Sequence, residues 1–417
     1  MKFKELKLSD TLLEALTYMG FDDATPIQEQ AIPAILNKRD LIASAQTGTG
    51  KTAAFILPVL NDLLEEKHEH QTKVLIIVPT RELAVQIDQQ IQGFSYFTNA
   101  ESIAIYGGGS GSEWDQQKKA LISGTDIIVA TPGKLISHLN MGYVKFEQVK
   151  YLILDEADRM LDMGFHEDIQ KIITYLPKER QTLMFSATMP PKIKQLAKKT
   201  LKDPVEITIG LSKPAEGVLQ GAYLVYEKQK TPLINSLIAD KPEVKSILIF
   251  SSTKRKVNDI VKGLRGKAYT VEGISSDLEQ KRREEVLRDF RSKHIRVLVA
   301  TDVLSRGIDI KDIDIVINYD VPGDAEDYVH RVGRTARAAS SGLAITMINE
   351  DDMYKFHRIE ELIGNEVMKL PLPDVFGEGP QWSLKNNSRP SFGKKPYPDK
   401  GHSPKNGKQG GKYRRRD

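Results

Sequence analysis

The sequence predicts an α/β fold of two tandem parallel-sheet domains followed by a disordered basic tail, and three observations carry that expectation. Short apolar runs alternate with stretches of helical period, the alternation comes in two separate series, and apolar content collapses near the C-terminus. The 417 residues suffice for two to three domains of ordinary size.

In the first series, runs at 41–45, 74–78, 127–130, 151–154 and 182–185 read as buried strands. Amphipathic stretches at 81–94 and 166–175 lie between them with helical spacing. Strand, helix and strand in turn imply parallel pairing with both sheet faces covered, which sets a first domain at 1–209. The stretch IGLSKPAEGVL at 209–219 bears Gly and Pro and has no period, so 210–219 reads as a linker. The second series, at 221–226, 246–250, 268–271, 296–300, 313–318 and 343–348, sets a second domain at 220–372. Two such lobes on a short linker enclose a cleft, the usual place for a ligand.

From 373 to 417, Gly, Pro, Lys, Arg, Asn and Ser dominate, a composition that buries too little surface to fold. Residues 377–417 hold eleven Lys or Arg against three Asp or Glu, a net +8, which leaves −4 for the rest of a chain of net charge +4. The basicity is a tail property and suggests a polyanionic partner. Trp382, Phe392, Tyr397 and Tyr413 are spaced among the cations, as suits rings that stack on unpaired bases; a solvated tail that aids solubility is the competing reading.

Zero cysteines exclude disulfides, thiolate metal sites and a thiol nucleophile, and suit a reducing cytoplasm. Residues 1–21 alternate charges with Leu and offer no secretory core, and no stretch approaches the ~20 apolar residues of a membrane span. No heptad repeat is evident, so a monomer is expected.

The run at 41–45 leads into AQTGTGKT, which opens the helical stretch at 52–64. Gly48 and Gly50 permit a tight turn whose amides face a polyphosphate at a helix N-terminus. Ala45, Gln46, Thr47, Gly48, Thr49, Gly50, Lys51 and Thr52 therefore form the candidate ATP loop, with Lys51 as a point charge for the β and γ phosphates and the Thr52 hydroxyl for Mg²⁺. A chance GKT in a Gly-rich turn is the alternative, and the strand-to-helix context speaks against it.

The run at 151–154 ends at Asp155, Glu156, Ala157 and Asp158. A carboxylate at the end of a parallel strand suits Mg²⁺, partly through water, so Asp155 is the candidate metal partner; Glu156 is placed to orient or deprotonate the attacking water. Alone, an acidic cluster is more often a helix start or a solvated surface. An EF-hand lacks its alternating ligands and its glycine here. In HRVGRTAR at 330–337, Arg334 and Arg337 are three apart; on a helical turn they share one face and reach the nucleotide from the second lobe as the cleft closes, with surface salt bridges as the alternative.

With these motifs in this order the chain resembles the DEAD-box RNA helicases of superfamily 2, over about residues 3–350. The matching residues are Phe3, GFDDATPIQ at 20–28, AQTGTGKT at 45, PTREL at 79, GG at 107, TPGK at 131, DEAD at 155, SAT at 186, LIFSST at 248, ATDVLSRGID at 300 and HRVGRTAR at 330. The resemblance implies two RecA-like domains that bind ATP and RNA across their cleft and open short duplexes locally. It implies that Gln28 reads the adenine edge, with Phe3 stacked near the base and Phe21 supporting the pocket. Ser186, Thr188, Asp158 and His330 would couple the nucleotide and RNA sites, and Gly307 and Asp309 would complete the nucleotide pocket. For single-stranded RNA it points to Thr80, Arg81, Gly108, Thr131, Gly133, Thr253, Thr301 and Asp302, a set that touches phosphates and 2′-hydroxyls and leaves base edges unread. Arg81 also reads as a helix-start surface residue and Thr253 as an N-cap.

The sequence departs from the family pattern in three places. Lys134 stands where the motif has Arg, which keeps charge but loses the bidentate fork; Ala336 stands where Gly is frequent; and ISSD at 274–277 replaces a frequent His-Gly pair, which touches the RNA contact expected near Ser275. The short N-terminus and basic tail suggest the bacterial RhlE-like branch. An ATP-switched RNA clamp and a superfamily 2 DNA translocase are the alternatives. Strand release from a duplex separates the first, and Gln28 with SAT and DEAD disfavours the second.

Overall fold

The structure, a computed structural model, describes residues 1–45, 49–64, 71–108, 111–210, 217–239, 241–266, 269–275, 277–301, 313–335 and 342–384. Two seven-stranded sheets organise it, and every strand pair in both is parallel. The first comprises β1 (Leu41–Ser44), β2 (Val74–Ile77), β3 (Ser102–Ile105), β4 (Ile127–Ala130), β5 (Tyr151–Leu154), β6 (Gln181–Ser186) and β7 (Val205–Thr208), in the order β3-β4-β2-β5-β6-β1-β7. The second comprises β8 (Val218–Leu224), β9 (Ile247–Ser251), β10 (Val271–Ile274), β11 (Val297–Thr301), β12 (Ile315–Asn318), β13 (Gly342–Ile348) and β14 (Met368–Leu370), in the order β10-β11-β9-β12-β13-β8-β14.

Strands β2, β4, β5 and β6 are buried at every position, as continuous apolar runs must be when helices cover both faces. One face of the first sheet packs with α1 (Asp10–Tyr18), α2 (Pro26–Leu36), α3 (Lys51–Leu64) and α4 (Arg81–Phe94) through Leu12, Ile32, Phe55 and Ile87. The other face packs with α5 (Gly111–Ser123), α6 (Pro132–Leu139), α7 (Ala157–Asp162), α8 (His166–Ile173) and α9 (Pro191–Thr200) through Leu121, Leu135, Met160, Ile169 and Leu196. The second sheet is sandwiched likewise by α10 (Glu227–Ala239), α11 (Lys254–Leu264), α12 (Gln280–Arg291), α13 (Ala325–Val332) and α14 (Met353–Ile363). Among the described residues no helix is long and apolar enough to cross a membrane.

Several expectations are corrected. Val218 and Leu219 belong to β8, so the expected linker loses its last two residues; 211–216 lie outside the described residues. The strand expected at 268–271 is β10, at Val271–Ile274. The boundary of the tail moves as well. Asp374–Phe376 form a 3₁₀ turn, and Gln229 donates to the Phe376 carbonyl at 2.8 Å. Trp382, expected among free tail aromatics, stands edge-on to Phe356 at 6.4 Å with the Lys369 ammonium 4.8 Å from its ring, so it completes the second lobe's packing. Residues 385–417, with Phe392, Tyr397 and Tyr413, lie outside the described residues.

Candidate nucleotide and nucleic-acid site

The candidate residues gather at the carboxyl ends of the strands, where a parallel sheet leaves its crevice. Ala45 follows β1, and its N–H donates to the Ser186 carbonyl at 3.0 Å, which ties the entry of the phosphate loop to the end of β6. Lys51 opens α3 and is 6% exposed; its ammonium, held by the Ala45 carbonyl at 2.9 Å, closes the loop on itself. Gly50 has φ +92, and a Cβ there would collide with the Gln28 amide, so conformation and proximity both require glycine. Thr49 and Thr52 are described beside it, whereas Gln46, Thr47 and Gly48 lie outside the described residues.

Gln28 is buried. Its Oε1 accepts from the Thr25 N–H at 2.8 Å, and its Nε2 donates to the Gly50 carbonyl at 3.1 Å. The amide expected at the adenine edge is thus braced against the candidate phosphate loop. Phe3 is 3% exposed, and its ring meets Phe21 edge-on at 6.5 Å, while Phe21 leans on Phe94 at 5.8 Å. Phe3 therefore backs the pocket from the core, and Phe21 is the ring that reaches the surface.

Asp155 follows β5 and is 3% exposed; burial pushes its carboxyl up to about 6, while Lys51 opposes the shift and Glu156 and Asp158 add to it. Glu156 occupies the left-handed region at φ 51, ψ 49, and its carboxylate is held by Arg159 at 3.0 Å in a buried pair. Asp158 Oδ2 accepts from the Thr188 N–H at 2.9 Å and from the Thr188 hydroxyl at 3.0 Å. Ser186 donates to the Thr188 carbonyl and receives the Asp158 N–H at 3.2 Å, so hydrogen bonds tie the ends of β5 and β6 together. These bonds give the expected coupling residues a physical linkage.

A cleft lined by Lys51, Glu156, Asp158, Arg159 and Thr188 on one side is lined by Asp324, Glu326, Asp327 and His330 on the other. His330 therefore lines the same cleft as Glu156 and Asp158 from the other lobe. Helix α13 ends at Val332, and Arg334 follows in the turn after it. Arg337, Asp302, Gly307 and Asp309 lie outside the described residues, as does Ala336.

The RNA candidates occupy the same rim. Thr80 caps α4, and Thr253 caps α11 through the Lys256 N–H at 3.2 Å, so the N-cap reading of Thr253 holds. Gly108 has φ +85 after β3, Thr131 precedes α6, Gly133 is exposed on its first turn, and Thr301 ends β11. Arg81 is more than a surface residue: it bonds Glu284 of the second lobe at 2.8 Å and lies over the Tyr106 ring at 4.3 Å. A reciprocal pair, Arg283 to Glu82 at 3.3 Å, completes a two-bridge clasp between the start of α4 and α12. The motifs did not reveal the clasp or Arg159, because each partner is one of many charged residues until the fold brings the two together.

His138, fully buried on α6, adds a pH-sensitive element beside this rim. Burial, with Lys134 nearby, lowers it from the ordinary 6.5 to about 4. The unfolded chain then binds this proton first, so the stability it confers is complete above about pH 6.5 and is lost as pH falls through about 4. Between about pH 6.5 and 4.5 the melting temperature should fall by about 3 °C more in the native chain than in His138→Gln, as scanning calorimetry would show.

The sequence matches the family model described as DEAD/DEAH box helicase over residues 25–196 and that described as Helicase conserved C-terminal domain over 229–339. It is 41% identical to the ATP-dependent RNA helicase CshA of Listeria monocytogenes over 374 residues, 89% of this chain and 71% of the relative. With the DEAD-box ATP-dependent RNA helicase CshA of Geobacillus kaustophilus it shares 40% over 383 residues, 91% of this chain and 80% of the relative. Among solved structures it overlays S. cerevisiae Dbp5 bound to RNA and ADP BeF3 with TM-score 0.78 at 30% identity, covering 89% of this chain and 95% of that one. A DEAD box protein from Methanococcus jannaschii, at 40% identity and covering 89% and 99%, overlays with TM-score 0.51. The chain thus overlays the RNA-bound protein better than the one nearer in sequence.

Proposed function

The chain belongs to the DEAD/DEAH box helicase family, and from that premise we propose that it works as an ATP-dependent RNA helicase whose two RecA-like lobes close on ATP and single-stranded RNA. The observation that carries this mechanism is the cleft lined by Lys51, Glu156 and Thr188 from one lobe and by Asp324 and His330 from the other. Neither lobe holds the complete site, so hydrolysis depends on closure. Lys51 binds phosphate oxygens, Glu156 orients the attacking water, and Asp158 with Ser186 and Thr188 carries the change to the rim where RNA lies. Closing on one strand in a geometry foreign to A-form pairing expels the other strand, and phosphate release reopens the lobes.

Mg²⁺ fits this site as an ion that arrives with ATP. Among the described residues no group of three or more His, Cys, Asp or Glu side chains is set to hold a metal by itself. Asp155, buried beside Lys51, and Thr52, the next residue along the helix, carry hard oxygen donors, which suits an ion that takes its other ligands from phosphates and water. Bound there it supplies charge neutralisation on the β and γ phosphates.

The test is ATP hydrolysis and release of a short RNA strand by the full chain. Single-stranded RNA should stimulate hydrolysis strongly and duplex DNA should not; a rate indifferent to RNA would sink the reading. Stimulation without strand release would indicate a clamp. The basic segment 385–417 is proposed to tether RNA without reading sequence. If about four of its cations meet phosphates, deleting it flattens the log-log salt slope of binding by about three. An unchanged slope would restore the solubility role.

A further inference from the structure

Lys134 sits on the first turn of α6, next to Gly133 on the proposed RNA rim. Its ammonium is 4.1 Å from the centroid of the Trp114 ring, and that indole also stacks on His138, with centroids 4.0 Å apart and planes 15° from parallel. Lys134 and His138 are four residues apart on one helix, so they share a face, and Trp114 of α5 lies along it.

The stack is anchored from behind. Gln117 donates its amide to the Tyr106 carbonyl at 3.3 Å, which leaves its oxygen to accept from His138 Nε2 at 3.3 Å. That fixes the imidazole as the Nε2–H tautomer, with Nδ1 accepting from the Tyr143 hydroxyl. Tyr106 in turn carries Arg81 over its ring. Two rim cations therefore rest on aromatic rings joined by one buried Gln–His link.

We infer that Trp114 is a positioning residue for RNA binding: its indole holds the Lys134 ammonium in place for a phosphate passing the start of α6. The inference rests on the RNA reading above. An unrestrained lysine loses the freedom of four side-chain torsions when it meets a phosphate, whereas the guanidinium of the family's usual arginine is pre-organised by its planar fork. The indole supplies that definition here and leaves ammonium N–H groups for the phosphate. Burial lowers the Lys134 amine somewhat, and the nearby Glu113 carboxylate works against this shift.

The experiment measures, for the full chain, the RNA concentration that half-saturates ATP hydrolysis and the salt slope of single-stranded RNA binding. Trp114→Leu and Lys134→Gln should each raise the RNA requirement about fivefold, with the deficit recovered at saturating RNA. Each should flatten the salt slope by about 0.7. The double variant should be no worse than either single one, and Trp114→Phe, which keeps a ring and the packing, should recover most of the loss. Wild-type affinity and slope in Trp114→Leu, additive losses in the double variant, or a turnover defect that Trp114→Phe does not recover would overturn the inference alone. A native chain that RNA fails to stimulate would overturn the RNA reading and this inference with it.

Discussion

Glu156→Gln should lower ATP turnover by about two to four orders of magnitude while lengthening the lifetime of bound RNA. The substitution keeps the side chain's shape and leaves the amide oxygen for Arg159, so the local structure survives and only the capacity to take a proton is lost. The backbone at this residue, φ 51 and ψ 49, is a conformation that costs a non-glycine residue on the order of 1–2 kcal/mol. Such a cost is consistent with a side chain held in place for chemistry. Single-turnover hydrolysis and RNA dissociation in the presence of ATP check both halves. Turnover within tenfold of the native rate would remove Glu156 from the water-orienting role.

Arg334→Ala should reduce RNA-stimulated turnover by about a thousandfold and spare ATP binding, because a cation delivered by the second lobe acts only on the closed state. The turn that carries Arg334 is fixed by its backbone. The Arg334 N–H donates to the Arg331 carbonyl at 3.2 Å, its carbonyl accepts from Ile313 at 3.3 Å, and the Thr335 hydroxyl donates to the Ile313 carbonyl. Gly342 packs so closely on Thr335 that a Cβ would collide with it. Truncating the arginine should therefore leave the turn standing and remove only the guanidinium. Equal nucleotide binding with collapsed turnover is the expected pattern; an unchanged rate would assign the charge to another group.

The central strands were legible in the sequence and the edges were not. Runs such as VLII at β2 and YLIL at β5 are buried on both faces and announce themselves as apolar. The strands overlooked, β3, β7 and β14, and the one misplaced, β10, are the four edges of the two sheets. There one side faces solvent, and SIAI, VEIT and MKL mix polar with apolar residues.

The site shows the same division. Motif residues local to one strand end, such as Lys51 and Asp155, were readable because strand, turn and helix follow one another directly. The Arg283–Glu82 and Arg81–Glu284 bridges join residues about two hundred positions apart, and no local pattern encodes such a pairing. Trp382 was misread because composition averages over a window, whereas one ring edge-on to Phe356 is enough to fasten its segment.

The topology has a consequence for biosynthesis. Among the described residues, all strands of the first sheet lie between Leu41 and Thr208 and all strands of the second between Val218 and Leu370, with none exchanged between sheets. A nascent chain can therefore complete its first lobe while the second is still being made, with no sheet edge waiting for a distant strand. Until α12 and α13 emerge, that lobe lacks its clasp partners and the far wall of its cleft. Under the closure mechanism proposed above, a half-made chain has only one wall of the hydrolysis site.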